Sequence, residues 1–200
     1  MKAILMSIKP KYVSLILNGT KTIEIRKRFP SDYRGWVYIY CTKDRNGELH
    51  YSKQYGAFYD VYGGPERYSE NGNLNGKVVA CFWCDQIDKR HIFPTENVMP
   101  FNPNVESQLN QLCLTKQEVM DYGHGDDYYA QLIHISKLKI FDQPLELYNF
   151  KTKKKIKGCT QCMYPIDTIP NRMCKDCYWI TPLFNAPQSW QYIEIEEIED

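Results

Sequence analysis

The sequence predicts an α+β fold: a closed, mixed β-barrel with helices at its rim, followed by a small cysteine-rich module. Three observations carry this. Five or six segments read as strands, one helix comes early and a helical pair comes midway, and four cysteines near the C-terminus fall into two close pairs. At 200 residues the chain is long enough for one large domain, or for one domain plus a small module.

Residues 2–8 form a short apolar run suited to a buried strand. Pro10 fits the first turn of a helix, where its missing N–H costs nothing, and Tyr12, Val13, Ile16 and Leu17 recur on one helical face. Asn18-Gly19 ends that helix, because glycine tolerates the left-handed backbone of a helix stop. Residues 21–28 alternate, with Ile23 and Ile25 on one side and Thr22, Glu24 and Arg26 on the other, so they predict a strand with one buried face. WVYIYC at 36–41 is a second strong strand. Residues 42–76 lose any period among Gly, Asn, Asp and Tyr, which predicts an insertion or flap, and 77–87 resume strand character.

Residues 105–113 are weakly helical. Thr115 with Glu118 three positions on is a capping box that starts another helix, stopped by Gly123 and Gly125. Residues 128–141 predict one long strand bent near Ser136, and Asp142-Gln143-Pro144 a turn. Residues 190–195 are the last strand.

Hydrophobic residues make up 43% and charged ones 24%, so a core forms without disulfides. No run approaches the ~18 apolar residues of a membrane span, and the N-terminus does not read as a signal peptide, so the expected location is cytoplasmic, with no membrane partner. Net charge is only +1, but residues 1–34 carry eight Lys/Arg against Glu24 and Asp32, 151–157 carry five lysines, and 194–200 carry five acids. Such asymmetry suits a positive face for phosphates, although the 151–157 run alone reads equally well as solvated surface.

Cys159, Cys162, Cys174 and Cys177 give C-x2-C-x11-C-x2-C. Each pair closes a tight turn, and two such knuckles complete a tetrahedral four-thiolate zinc site. The segment between them, with Pro165 and Pro170, holds few core-forming residues, so the metal supplies its folding energy. Four thiolates fill the coordination shell and make the zinc structural. Cys81 and Cys84 also have C-x-x-C spacing, but within a strand they face opposite sides. With Cys41 and Cys113 they read as buried small apolar residues.

Asn18–Arg26 (NGTKTIEIR) resembles the G-x-K-x-x-E-x-R signature of the ASCH family, a branch of the PUA-like superfamily, with Gly19, Lys21, Glu24 and Arg26 at its fixed positions. MKAILMSIKP before the helix, VYIYCT, NGKVVACFWCDQI, LTKQEVMDYG, YYAQLIHISKLKIFDQPLEL and APQSWQYIEI look like successive segments of larger bacterial and phage-type members. The resemblance covers the chain apart from 42–76 and the cysteine-rich segment. It implies a PUA-like barrel over 1–150 and 186–196, with 42–76 as an insertion or flap and 151–185 as a zinc-ribbon insertion. It also implies a cleft beside the first helix, shaped for RNA or a modified nucleobase.

In that cleft Lys21 is expected as a mobile cation at the rim, Arg26 as a fixed bidentate donor, and Glu24 as its partner and an acceptor for a base amino group. Arg28, Tyr40, Tyr129, Ser189 and Trp190 complete the expected ligand-binding set, the aromatics as stacking surfaces. One branch of the family deacetylates acetylated cytidine with a Lys, a Thr nucleophile and a helix Glu. Lys21 matches the Lys, Glu24 stands where the Thr would be, and Glu118 or Asp121 is the candidate acid, with Lys21, Glu24 and Glu118 as the catalytic set if this chain is an enzyme. Some relatives are suspected ribonucleases, for which His134 is the acid–base candidate. The sequence favours a binder of RNA or a modified nucleotide over a hydrolase. A protein-interaction module working through the ribbon or the 42–76 segment is the third reading.

Overall fold

The structure is a computed structural model that describes residues 1–45, 47–61, 73–91, 103–115, 117–119, 129–155 and 178–195. Strand β1 (Lys2–Ile8) leads into helix α1 (Pro10–Leu17), and β2 (Ile23–Arg26) and β3 (Gly35–Cys41) follow. Gly19 stops α1 at φ +73°, as its place after the last apolar turn requires. Next come β4 (Glu48–Ser52), β5 (Ala57–Val61), β6 (Val78–Cys84), β7 (Ile87–His91), α2 (Pro103–Leu112), β8 (Tyr129–His134), β9 (Ser136–Leu145), β10 (Lys151–Lys155), β11 (Tyr178–Pro182) and β12 (Trp190–Glu194).

The fold is a mostly-sheet α+β arrangement. One seven-stranded sheet runs β11-β10-β12-β1-β3-β6-β9, a three-stranded sheet runs β2-β8-β7, and β4-β5 form a hairpin. β1 and β3 are parallel because α1 and β2 lie between them, and the other pairings are antiparallel.

The strands of the seven-stranded sheet alternate between two apolar layers. Ile4, Met6, Ile8, Val37, Ile39 and Cys41 face one, beneath α1, while Ala3, Leu5, Trp36, Tyr38 and Tyr40 face the other with Phe150 and Leu183. A third, smaller cluster joins Ile23, Ile25, Ala130 and Leu132 to Leu112 of α2.

Several expectations are corrected here. The expected closed barrel is three separate ladders among the described residues. Asp85-Gln86 breaks the expected 77–87 strand into β6 and β7, and Ile135 breaks the long strand into β8 and β9, so each chain segment passes from one sheet to the other. The turn expected at Asp142-Gln143-Pro144 lies inside β9. That strand is an edge, where a proline without an N–H is tolerated. Residues 42–76, aperiodic in sequence, contain the β4–β5 hairpin. Leu49 is fully buried in the layer under α1, and Asn18 clamps the hairpin by donating from Nδ2 to Phe58 O (2.6 Å) and accepting from Phe58 N (2.9 Å). β2 is buried on both faces rather than one, because α2 covers Ile23 and Ile25 while Glu24 points inward. Cys81 and Cys84 do face opposite layers, and with Cys41 they are buried, whereas Cys113 is half-buried.

Candidate functional site

The turn after α1 and strand β2 build a buried charge cluster. Glu24 is held by two cations: Arg26 Nη1 lies 3.0 Å from Oε1, and Lys21 Nζ lies 3.5 Å from Oε2. The side chains of Lys21 and Glu24 are 1% and 5% exposed, and that of Arg26 is 14% exposed.

The expectation of Lys21 as a mobile rim cation is overturned. Its ammonium donates to Leu112 O at 2.5 Å, the last carbonyl of α2, and Thr22 N donates to Gln111 O at 3.1 Å. A helix C-terminus leaves carbonyls without partners, and a lysine beneath it satisfies one and complements the dipole. Burial holds the Lys21 pKa below its ordinary value, with the Glu24 carboxylate opposing that shift.

Arg26 crosses between sheets. Its Nη2 donates to Ser7 O of β1 at 2.7 Å, so one guanidinium ties the three-stranded sheet to the seven-stranded one and clamps Glu24. Two polar atoms of this cluster are buried without a hydrogen-bond partner, Glu24 Oε2 and Arg26 Nε. A third such atom is Gln131 Oε1 on β8, where Gln131 is the register partner of Arg26.

Glu118 does not join Lys21 and Glu24. Its Oε2 accepts from Thr115 N (2.8 Å) and Thr115 Oγ1 (3.0 Å), and Thr115 Oγ1 accepts from Glu118 N (3.1 Å), so the capping box is formed. Its Oε1 pairs with Lys11 at 3.0 Å, and the Thr115 backbone bond together with Lys11 pulls its pKa down to about 2. Tyr12 stands between the two groups, its hydroxyl 3.5 Å from Glu118 Oε1 and its ring centroid 5.5 Å from Lys21 Nζ.

The remaining expected ligand-binding residues disperse. Tyr40 is 5% exposed in the layer on the opposite face of β3 from α1, since strand alternation sends it there with Trp36 and Tyr38. Trp190 donates from Nε1 to Arg28 O at 2.6 Å and packs edge-on against Phe29 and Tyr192, while the Arg28 side chain is exposed. Ser189 is exposed, and its carbonyl accepts from Ser7 N, next to the oxygen that Arg26 holds. The backbone of Tyr129 pairs with His91, and its side chain lies outside the described residues, as do Cys159, Cys162, Cys174 and Cys177. His134 pairs with Asp88 at 3.1 Å on the α2 side of the three-stranded sheet. Ser7, Leu112 and Gln131 were missed. Two of them act through backbone oxygens that no residue type announces, but Gln131 had a signal, a polar side chain two positions before the core residue Ile133.

Among solved structures, the chain is similar to the crystal structure of ASCH from Zymomonas mobilis, at 16% identity and TM-score 0.45 over 72% of this chain and 73% of that one. It is similar also to two single-substitution variants of that protein, at 16% and 17% identity and TM-scores of 0.46 and 0.43, covering 74% and 72% of this chain and 77% and 74% of theirs. The signature in 19–26 resembles the same family. Both point to ASCH. No protein-family model and no curated protein matches the chain.

Proposed function

We propose that the protein binds a nucleobase, in RNA or as a modified nucleotide, at Glu24 and Arg26. The observation behind this is a pair of buried atoms that lack a hydrogen bond once the cluster has closed the fold: an acceptor, Glu24 Oε2, which meets Lys21 in an ion pair at 3.5 Å, and a donor, Arg26 Nε. A buried polar atom without a partner costs roughly 1–3 kcal/mol, and more when charged. A base edge that carries an amino group beside a carbonyl oxygen or ring nitrogen supplies both missing partners, in the manner of single-stranded RNA readers. Lys21 is a positioning residue, holding Glu24 and the end of α2 in place.

The test is calorimetric titration with short mixed-sequence single-stranded RNA and with a panel of unmodified, acetylated and methylated nucleosides. Glu24→Gln and Arg26→Lys, both close in shape to the original residues, are expected to weaken binding at least about tenfold, the effect of losing one charge-assisted hydrogen bond. Unchanged affinity in both variants removes the site from consideration. Mass spectrometry of the same mixtures tests the hydrolase alternative, for which Lys21, Glu24 and Glu118 must act together. Glu118 is instead engaged by the Thr115 cap and by Lys11, so no turnover is expected.

The same reading keeps a structural zinc at Cys159, Cys162, Cys174 and Cys177. β10 and β11 pair up to Lys155↔Tyr178, which places the two residues flanking the cysteine-bearing segment one strand spacing apart, about 5 Å. That neck supports a closed loop of the kind two thiolate knuckles make. Purified protein is expected to carry stoichiometric zinc by elemental analysis, and to lose thermal stability when a strong chelator removes it. Metal-free protein with the same melting temperature counts against the site.

A further inference from the structure

The β11 end of the seven-stranded sheet has one packed face and one exposed face. Lys2 pairs with Glu194, Glu194 with Lys151 and Lys151 with Pro182, which makes one row across β1, β12, β10 and β11. Paired residues share a face, and alternate residues along a strand return to it. Ile4, two positions after Lys2, lies in the layer beneath α1, so the row marks where that face emerges from under the helix. On the other side of the ribbon Phe150 and Leu183 are buried in the opposite layer.

Ile180, Pro182 and, past the buried Leu183, Phe184 run along the exposed side of β11, with Ile180 56% and Phe184 77% exposed. Lys153 and Lys151, both exposed, stand beside them on β10 as the register partners of Ile180 and Pro182. Lys2 lies over the Tyr192 ring at 3.6 Å, and Lys153 pairs with Glu194 at 3.0 Å. Three lysines thus share one glutamate, and the face keeps a positive excess beside its apolar stripe.

Shape and charge select the occupant. Leu183 N donates to Phe150 O, so by alternation the backbone of Ile180 and Pro182 turns away from β10 to the open edge of the sheet. Pro182 has no N–H to offer there, which blunts the edge against an added strand and leaves the face for binding. A second copy of the chain would set lysines against lysines. The face is flat, as a base is, and its β10 lysines stand roughly 7 Å apart at alternate positions. Exposed ring surface beside a row of cations is the combination on which single-stranded nucleic acid binds without sequence readout.

We propose that the exposed face of β10 and β11 binds single-stranded RNA, with bases lying against Phe184 and Ile180 and the phosphates meeting Lys151. Lys2 and Lys153 add to the positive field around that path. This surface is separate from Glu24 and Arg26 and does not depend on them.

The experiment measures fluorescence anisotropy of labelled oligouridylate and oligoadenylate, each about 12 nucleotides long, titrated with the full chain. Wild type is expected to bind both, more weakly as salt rises. Phe184→Ala weakens both at least about fivefold and leaves the salt slope unchanged, whereas Phe184→Trp, which keeps a ring, retains the affinity. Lys151→Ala lowers the slope of log affinity against log salt by about 0.7. Both side chains are exposed, so the melting temperature of each variant stays that of wild type. Nucleoside titrations report on Glu24 and Arg26 and are unchanged in both variants, and the loss at Phe184 persists in a Glu24→Gln background, so the two readings fail separately. An affinity that Phe184→Ala leaves intact, or a slope that Lys151→Ala leaves intact, overturns the proposal. A wild-type chain that binds neither oligonucleotide overturns it too, and a dimer or an association with phosphatidylserine vesicles that Phe184→Ala abolishes then names the occupant instead.

Discussion

Two lysine–glutamate contacts flank α1, and they behave in opposite ways. Lys21–Glu24 is buried under α2, sits at 3.5 Å, and leaves Glu24 Oε2 without a hydrogen bond. Lys11–Glu118 is a third or more exposed, sits at 3.0 Å, and leaves no oxygen of Glu118 without a partner, because the Thr115 cap occupies the other one. The exposed carboxylate is saturated by its own chain, whereas the buried one, where a missing partner costs most, is not. Half of that saturation is local helix chemistry, the Thr115 cap, and half is the ion pair from Lys11, 107 positions away. The buried deficit is tolerated because Lys21 and Arg26 also fasten α2 to β2 and one sheet to the other.

The comparison is broken most directly at Lys21. Replacing it with Ala removes the partner of Leu112 O and leaves Glu24 buried with one cation in place of two. Breaking a buried pair from one side costs roughly 3–5 kcal/mol. Lys21→Ala is expected to lower stability by that order in urea unfolding monitored by circular dichroism. A loss below ~1 kcal/mol, the level of an exposed pair, means that Lys21 is solvated and the buried-cluster account is wrong.

The same contrast separates what the sequence discloses from what it hides. Period and punctuation located β1, α1, β3, β12 and the Thr115–Glu118 capping box, because each depends on residues close together in the chain. The alternation that paired Glu24 with Arg26 was legible for the same reason. Burial of Lys21 was not, since it depends on the end of α2 arriving from 91 positions away. The strand break at Asp85-Gln86 was hidden too, whereas the bend expected near Ser136 falls one residue from the break at Ile135. Both breaks occur where the two strand pairs leave one sheet for the other, and continuous apolar alternation looks the same whether or not its partners change. Tyr40 was placed on the wrong face because both faces of β3 are buried, so polarity gives no sign of which side meets α1.

A smaller effect is expected on the exposed side. Glu118→Ala removes the reciprocal cap and the Lys11 pair together. Cap losses run ~0.5–2 kcal/mol, so a cost of about 1 kcal/mol in urea unfolding at neutral pH is expected. The backbone bond from Thr115 lowers the Glu118 pKa to about 2 from an ordinary 4.5, so its stabilisation is complete above about pH 4.5 and is lost as the pH falls toward 2. The difference between wild type and Glu118→Ala is therefore expected to shrink across that interval. A difference that stays constant from pH 6 to about pH 2 assigns the loss to packing rather than to the ionised cap.

The smallest effect sharpens the comparison by isolating an exposed ion pair with no cap attached. Lys77 and Glu146 meet at 3.0 Å, each about 40% exposed, and they join the start of β6 to the end of β9. Their geometry is as close as that of Lys11–Glu118, so distance alone predicts an equal contribution. Solvent screening and the entropy of holding two long side chains predict less, ~0–1 kcal/mol for exposed pairs. A double-mutant cycle on Lys77→Ala and Glu146→Ala is expected to return a coupling below about 0.5 kcal/mol that vanishes in molar salt. A coupling as large as the Glu118 loss, and insensitive to salt, makes charge pairing rather than capping the source of stability on this surface, and leaves burial as the one property that sets the Lys21 cluster apart.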